Sequence, residues 1–163
     1  MKVLEYDKVK TRLASLCARS ETCSFEIRVK LLRTHLSEEE RSRILDFLIE
    51  NNFVNDERFA RAFVHDKAQF TSAGPVKIRH ELMKRHIPEQ FVDSAMESVP
   101  DEIFVQKARK IVKSRIEELS AKETDPRKIH DKLYQYLICR GFTFSTIREA
   151  LPSRSDSLDS YDF

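Results

Sequence analysis

Residues 55–96 read NDERFARAFVHDKAQFTSAGPVKIRHELMKRHIPEQFVDSAM. Three short helices are predicted in this stretch. Phe59, Ala62, Phe63 and Phe70 fall near one face at helical spacing. Gly74-Pro75 interrupts the pattern, because Pro cannot continue a helix from the preceding turn and Gly tolerates positive φ. The next helix is expected to turn Val76, Ile78, Leu82 and Met83 inward. His86 ends it, and Pro88 opens the third helix at a position where Pro loses no hydrogen bond. Phe91, Val92, Ala95 and Met96 form the third apolar stripe.

The pattern recurs on both sides. Sliding the stretch back until Leu82 falls on Leu31 places Ile78 on Ile27, His86 on His35, Ile87 on Leu36, and Ala95-Met96 on Ile44-Leu45. Sliding it forward until Leu82 falls on Leu137 places Ile78 on Leu133, Ile87 on Phe142, Val92 on Ile147, and Ala95-Met96 on Ala150-Leu151. The turn position holds His35, His86 and Gly141; Gly, and less often His, tolerates the left-handed conformation that ends a helix. The helix after the turn starts at Ser37, Pro88 and Thr143, and Ser37 with Glu40 forms a capping-box pattern. Agreement of apolar, turn and start positions indicates an internal repeat. The expected fold is all-α, an elongated tandem array of three three-helix, helix-turn-helix-like repeats. Their bounds are 1–53, 54–99 and 100–152, with a disordered acidic tail at 153–163. Such an array should have a radius of gyration above the roughly 15 Å of a compact chain of this length.

The remaining helices follow from the same signals. Tyr6, Val9, Leu13 and Leu16 stripe a helix from Tyr6 to about Arg19, followed by helices over Phe25–Thr34 and Ser37–Asn52. Asp101 is expected to cap a helix from Glu102 to about Ser120, and Asp125-Pro126 reads as a cap followed by Pro at the first helical position. A last helix covers Phe144–Leu151, and Pro152 ends the ordered body.

Composition narrows the class. The 163 residues include only two glycines, Gly74 and Gly141, and strand-like alternation is weak, which favours helices. No long uncharged apolar run is present to cross a membrane, and the charged start MKVLEYDK does not read as a signal peptide, so the expected location is cytoplasmic. Cys17, Cys23 and Cys139 are odd in number and lack C-x-x-C spacing, as expected of reduced, mostly buried thiols. The net charge of +2 does not announce a nucleic-acid binder. Its distribution is uneven, with a balance of −4 from Leu36 to Arg58 and +4 from Lys67 to Pro88. A basic face flanked by acidic surface suits a partner with both kinds of surface better than naked duplex DNA.

No catalytic, cofactor-binding or metal-binding residues are assigned. Two isolated glycines cannot build a phosphate-cradling loop. His35, His65, His80, His86 and His130 do not pair with cysteines at the short spacing of a zinc site. The basic residues are the remaining candidates. Arg28 and Arg79 are repeat-equivalent, as are Arg33 and Lys84, and Arg85 and Arg140. With Lys77 they lie on or at the end of each repeat's second helix, where repetition would build a basic stripe able to meet phosphates or acidic side chains along a polymer. Phe25, Phe53, Phe59, Phe63, Phe91 and Phe142 are assigned to the core.

The chain resembles the RecX family, bacterial regulatory proteins that inhibit RecA recombinase. The resemblance is carried by NDERFARAFV (Asn55–Val64), GPVKIRHEL (Gly74–Leu82) followed by HIP, and YLICRGF with Thr146-Ile147 after it. Cys139 and Ala73 depart from the family pattern, in which a second Arg and a larger residue are common at these places. The resemblance implies tandem three-helix repeats and a non-enzymatic monomer acting in DNA repair, recombination and the SOS response. It implies binding along the RecA–single-stranded DNA filament, with weak DNA contact and no cofactor. It further implies suppression of filament growth, ATP hydrolysis, strand exchange and co-protease activity. Arg28, Arg33, Lys77, Arg79, Lys84, Arg85 and Arg140 are the expected partner-binding residues. Two rival readings are a helix-turn-helix DNA-binding protein, which the acidic third helix over Ser37–Glu50 disfavours, and a helical adaptor for another protein.

Overall fold

The computed structural model describes residues 2–151, with side chains from residue 5 onward. The expected tail at 153–163 and Pro152 lie outside the described residues. Among the described residues there are nine helices and no strand: α1 (Lys2–Arg19), α2 (Ser24–Leu31), α3 (Glu38–Glu50), α4 (Asp56–Phe70), α5 (Pro75–Met83), α6 (Glu89–Glu97), α7 (Asp101–Ser120), α8 (Pro126–Arg140) and α9 (Phe144–Ala150). The described residues divide into two compact units, one drawn from those up to 63 and from 81–95, the other from 64–80 and from 96 onward. The division passes through α4, α5 and α6.

The first unit buries Leu13 and Cys17 of α1, Ile27 and Leu31 of α2, and Ile44, Leu45 and Leu48 of α3, with Leu36 and Val54 from the connections. Each fully buried aliphatic side chain contributes about 1.5–3 kcal/mol against exposure. The helix ends carry their own chemistry. Ser37 accepts from the Glu40 amide while the Glu40 carboxylate accepts from the Ser37 amide, completing the capping box. Asn52 takes φ 57° and lets the Phe53 and Val54 amides return to the Leu48 carbonyl; the sequence reading ended the helix at Asn52 but did not assign this left-handed turn. α2 receives its cap from a distant residue: the Asp56 carboxylate accepts from the Ser24 amide at 2.7 Å and from its hydroxyl at 2.6 Å.

The second unit is centred on α7, which packs against both α8 and α9. Phe104, Val105, Ala108 and Val112 of α7 bury against a set that includes Leu133, Leu137, Phe142 and Ile147. Asp125 caps α8 by accepting from the Arg127 amide at 2.9 Å, with Pro126 at the first helical position as expected. Thr143 caps α9 by accepting from the Thr146 amide. Asp101 is not a cap. It is the first residue of α7, and Pro100 occupies the cap position. There the acid still favours the helix through its dipole.

Three expectations about faces and turns require correction. α4 buries Phe59, Ala60, Val64 and Ala68, whereas Ala62 and Phe63 are half-buried and Phe70 is 78% exposed. The small residues take the closest approach, so the buried stripe is rotated from the one that the bulky residues mark. On α5, Ile78 and Leu82 are fully buried but Val76 and Met83 are exposed. Successive helical residues are rotated by about 100°, and on α5 that rotation puts Leu82 against the core and Met83 toward solvent. His86 and Gly141 take positive φ, at 54° and 84°, but His35 does not. In the first repeat the chain leaves α2 at Leu31 rather than Thr34. Tight turns link Arg33 to Lys30 and Thr34 to Leu31, and the Thr34 hydroxyl adds a bond to the Leu31 carbonyl.

Candidate functional site

Of the expected basic residues, Arg28, Lys77, Arg79 and Arg140 lie on the second helices α2, α5 and α8, and Arg33, Lys84 and Arg85 lie on the turns just beyond α2 and α5; the structure sorts them into two groups. Arg28, Arg33, Lys77 and Lys84 are exposed. Arg79, Arg85 and Arg140 are half-buried, which corrects the expectation of an exposed Arg79 and Arg85. In the first unit Arg85 has three partners. Its guanidinium donates to Glu26 of α2 at 3.0 Å and to the Glu81 carbonyl at 2.9 Å, and it lies over the Phe63 ring at 5.0 Å. Beside it the His86 ring meets the Phe25 ring at 4.9 Å. Arg85 and His86 therefore join the end of α5 to the start of α2. Of the aromatics assigned to the core, Phe59 and Phe142 are buried and Phe25, Phe53, Phe63 and Phe91 are half-buried.

The second unit holds an equivalent joint. The Gly74 amide donates to the Arg140 carbonyl at 2.7 Å, and the Val76 amide donates to the Gly141 carbonyl at 2.9 Å. The unsatisfied donors at the start of α5 thus meet the unsatisfied acceptors at the end of α8, so the positive end of one helix dipole meets the negative end of the other. Lys77 sits directly against Gly141, its Cβ 2.6 Å from where a Cβ on that glycine would lie. The Arg140 guanidinium lies over the Tyr136 ring at 5.0 Å, and Arg115 lies over the same ring at 3.9 Å.

Two features escaped the sequence reading. Lys107 donates to the Lys67 and Ala73 carbonyls, each at 2.9 Å, bracing the loop that leads into Gly74. Burial lowers its pKa to about 8, even though the two carbonyls favour the ammonium. Nothing in the local pattern of α7 marks this lysine, since its partners are backbone atoms about forty positions away. The second feature is exposed apolar surface: Leu32 on the first turn beyond α2 and Met83 at the end of α5. Among the described residues no group of three or more His, Cys, Asp or Glu side chains is placed to hold a metal ion, and no helix is long and apolar enough to cross a membrane. Cys17 and Cys23 are buried, and burial pushes both thiols up; Cys139 is exposed.

A family model described as the second three-helix domain of RecX matches residues 55–96. The regulatory protein RecX of Clostridium acetobutylicum is 31% identical over 148 residues, covering 90% of this chain and 68% of the relative. The chain belongs to the RecX family. A RecX from Clostridium botulinum is 29% identical over 126 residues, covering 77% of this chain and 58% of that protein. The chain therefore spans 68% and 58% of the lengths of these two relatives. The crystal structure of RecX from Lactobacillus salivarius superposes with a TM-score of 0.76 at 21% identity, covering 89% of this chain and 93% of that one. At that identity the match speaks for the fold. The RecX domain match falls on α4, α5 and α6, the three helices read from the stretch that opened the sequence analysis.

Proposed function

We propose that this chain is a non-enzymatic modulator of RecA recombinase. It acts as a monomer in the cytoplasm, binding along the RecA–single-stranded DNA filament. There it suppresses filament growth, ATP hydrolysis, strand exchange and co-protease activity. Membership of a family of regulatory proteins named RecX supports the regulatory part. The observation that carries the surface assignment is the exposure of Arg28, Arg33, Lys77 and Lys84 on or beside second helices, with Arg33 and Lys84 at equivalent places in the first two repeats. In this reading the repeats at 1–53, 54–99 and 100–152 present those helices to successive filament subunits. Arg79, Arg85 and Arg140 contribute less, because their stems or heads are already packed. A DNA-reading role is less favoured. In a helix-turn-helix the third helix of a repeat would enter the groove, and α3 exposes Glu38, Glu39, Asp46 and Glu50.

The test is RecA ATPase on single-stranded DNA against increasing protein at two salt concentrations. Arg28→Glu, Arg33→Glu and Lys84→Glu combined should leave the melting temperature nearly unchanged, since exposed substitutions usually cost under about half a kcal/mol each. Inhibition by the parent should weaken as salt rises, because exposed charges are screened over about 8–10 Å at physiological ionic strength. The triple variant should inhibit at least about tenfold less well. Equal inhibition by a folded triple variant would move the binding surface elsewhere.

A further inference from the structure

Leu32 and Met83 occupy the same place in the first two repeats, immediately after the buried Leu31 and Leu82. Leu32 is 68% exposed and Met83 is 53% exposed. A single exposed leucine is ordinary on a protein surface. Here the same position is apolar and exposed twice, beside basic residues of which Arg28, Arg33 and Lys84 are exposed and Arg79 is half-buried. Each follows an arginine by four residues, Arg28 and Arg79, and precedes a base, Arg33 and Lys84. Residues four apart share a helix face. The third repeat breaks the pattern, with Tyr134, Ile138 and Cys139 at the corresponding positions and Ile138 half-buried. Leu32 also lines an open groove of about 550 Å³ whose floor includes Leu31 and Leu45 and whose rim carries Arg28, Arg41, Glu38 and Asp46.

We infer that Leu32 and Met83 are paired apolar anchors for an acidic protein partner, each seated beside basic residues that orient a carboxylate-bearing segment. The partner's chemistry follows from the surface. Phosphates would satisfy Arg28, Arg33 and Lys84 but leave both apolar side chains facing water. A protein segment with an aliphatic side chain between carboxylates covers both kinds of group. Since Leu32 and Met83 belong to successive repeats, the partner should offer that segment twice. This deepens the proposed function and rests on it for the identity of the partner, not for the chemistry of the surface.

Leu32→Ser and Met83→Ser should each weaken binding to the RecA–single-stranded DNA filament about tenfold, the transfer of one large apolar side chain, and the double variant should lose more. The melting temperature should not move, because both side chains are exposed. If the parent binds the filament and the folded double variant binds equally well, the anchors are wrong while the proposed function stands. A second arm does not involve RecA. The full chain with methyl-labelled leucine and methionine is titrated with a synthetic peptide placing Leu and Glu at helical spacing, with its Lys-for-Glu counterpart, and with a single-stranded oligonucleotide. Movement of the Leu32 and Met83 methyl signals with the Leu/Glu peptide alone supports the anchors, even if the filament does not bind. No movement, equal movement with the Lys peptide, or movement with the oligonucleotide instead overturns them.

Discussion

Two joints do the same task with different material. In the first unit the end of α5 meets the start of α2 through side chains: Arg85 with Glu26 and His86 with Phe25. In the second unit the end of α8 meets the start of α5 through the backbone, with Gly74 and Val76 donating to Arg140 and Gly141. The positions correspond by the repeat: His86 with Gly141, Phe25 with Val76, and Cys23 with Gly74. Where side chains bridge, the corresponding positions hold a cysteine and a histidine, and Cys23 is fully buried. Where backbone touches backbone, both places are glycine. The two glycines of the chain are thus consumed by one contact.

The largest effect is expected at Gly141. A Cβ there would lie 2.6 Å from both the Cβ and the amide nitrogen of Lys77, and φ is 84°. Steric overlap and a left-handed conformation for a β-branched residue add, so Gly141→Val should destabilise by about 3 kcal/mol or more. For a chain of this size that lowers the melting temperature by roughly 6–12 °C. A shift under about 2 °C would mean that the joint opens at little cost. Gly74→Ala comes next. Its added carbon would stand 2.4 Å from the Gly141 carbonyl group, which is backbone and cannot swing away. We expect about 2–3 kcal/mol, read in the same melt. The side-chain joint should contain no position with such sensitivity, and Cys23→Ala should cost clearly less than Gly74→Ala.

Breaking the side-chain joint should cost less because its parts are partly solvated. The Arg85 and Glu26 side chains are about one third exposed. Arg85→Ala also removes the bond to the Glu81 carbonyl and the cover over Phe63, so about 1–2 kcal/mol is expected. In a double-mutant cycle with Glu26→Ala the coupling should be about 0.5–1 kcal/mol. A coupling near zero would assign the role of Arg85 to packing rather than charge.

Lys107 braces the backbone joint from the other side, and its titration offers a separate handle. Its pKa is lowered by burial to about 8, from an unfolded value near 10.4. Below pH 8 both states hold the proton and burial of the charge opposes folding. Between about pH 8 and 10.4 the unfolded chain binds more protons than the native one, so stability rises with pH. The two carbonyl acceptors and partial solvation limit the gain to on the order of 1 kcal/mol. Burial pushes the Cys17 and Cys23 thiols up, which lowers stability over the same range in any variant that keeps them, so the reading is a difference: the urea midpoint of the parent minus that of Lys107→Met should grow between pH 7.5 and 9.5. Equal pH dependence in both proteins would mean that Lys107 contributes nothing to it.

Much of this organisation is legible in the sequence because it is local or periodic. The capping box at Ser37 and Glu40, the Asp125-Pro126 start and the Gly141 stop each lie within four residues of the groups they serve. The repeat is legible because Ile27, Ile78 and Leu133, like Leu31, Leu82 and Leu137, are all buried in matching places. What the sequence conceals depends on distant partners. Asp56 caps α2 from the start of α4, Lys107 binds carbonyls in another helix and loop, and Arg85 looks like its exposed neighbour Lys84 until Glu26 is seen beside it. The exposed anchors were hidden for another reason. Leu82-Met83 reads as a pair of core residues and Leu32 received no face at all, and only three-dimensional packing decides which residue of each pair faces inward.

The smallest effect is expected at His86, and it separates the joints most cleanly. His86 holds φ at 54°, where an L-residue is disfavoured by roughly 1 kcal/mol, so glycine would relieve that cost. Glycine also brings a more flexible unfolded chain, a loss of roughly 0.5–1 kcal/mol, and it deletes the ring against Phe25, worth roughly 0.5 kcal/mol or a little more. These contributions nearly cancel, so His86→Gly should lie within about 1 kcal/mol of the parent. The reciprocal change cannot cancel. Gly141→His places a Cβ against the Lys77 amide, with no aromatic ring at Val76 to receive the imidazole. The repeat makes the two positions equivalent in conformation, and both adopt positive φ. If conformation alone set their tolerance, the two substitutions would be mirror images in the melt. We expect His86→Gly to melt within about 4 °C of the parent and Gly141→His to melt well below it. Symmetrical shifts would show that the left-handed turn, and not the distance between backbones, decides which joint needs glycine.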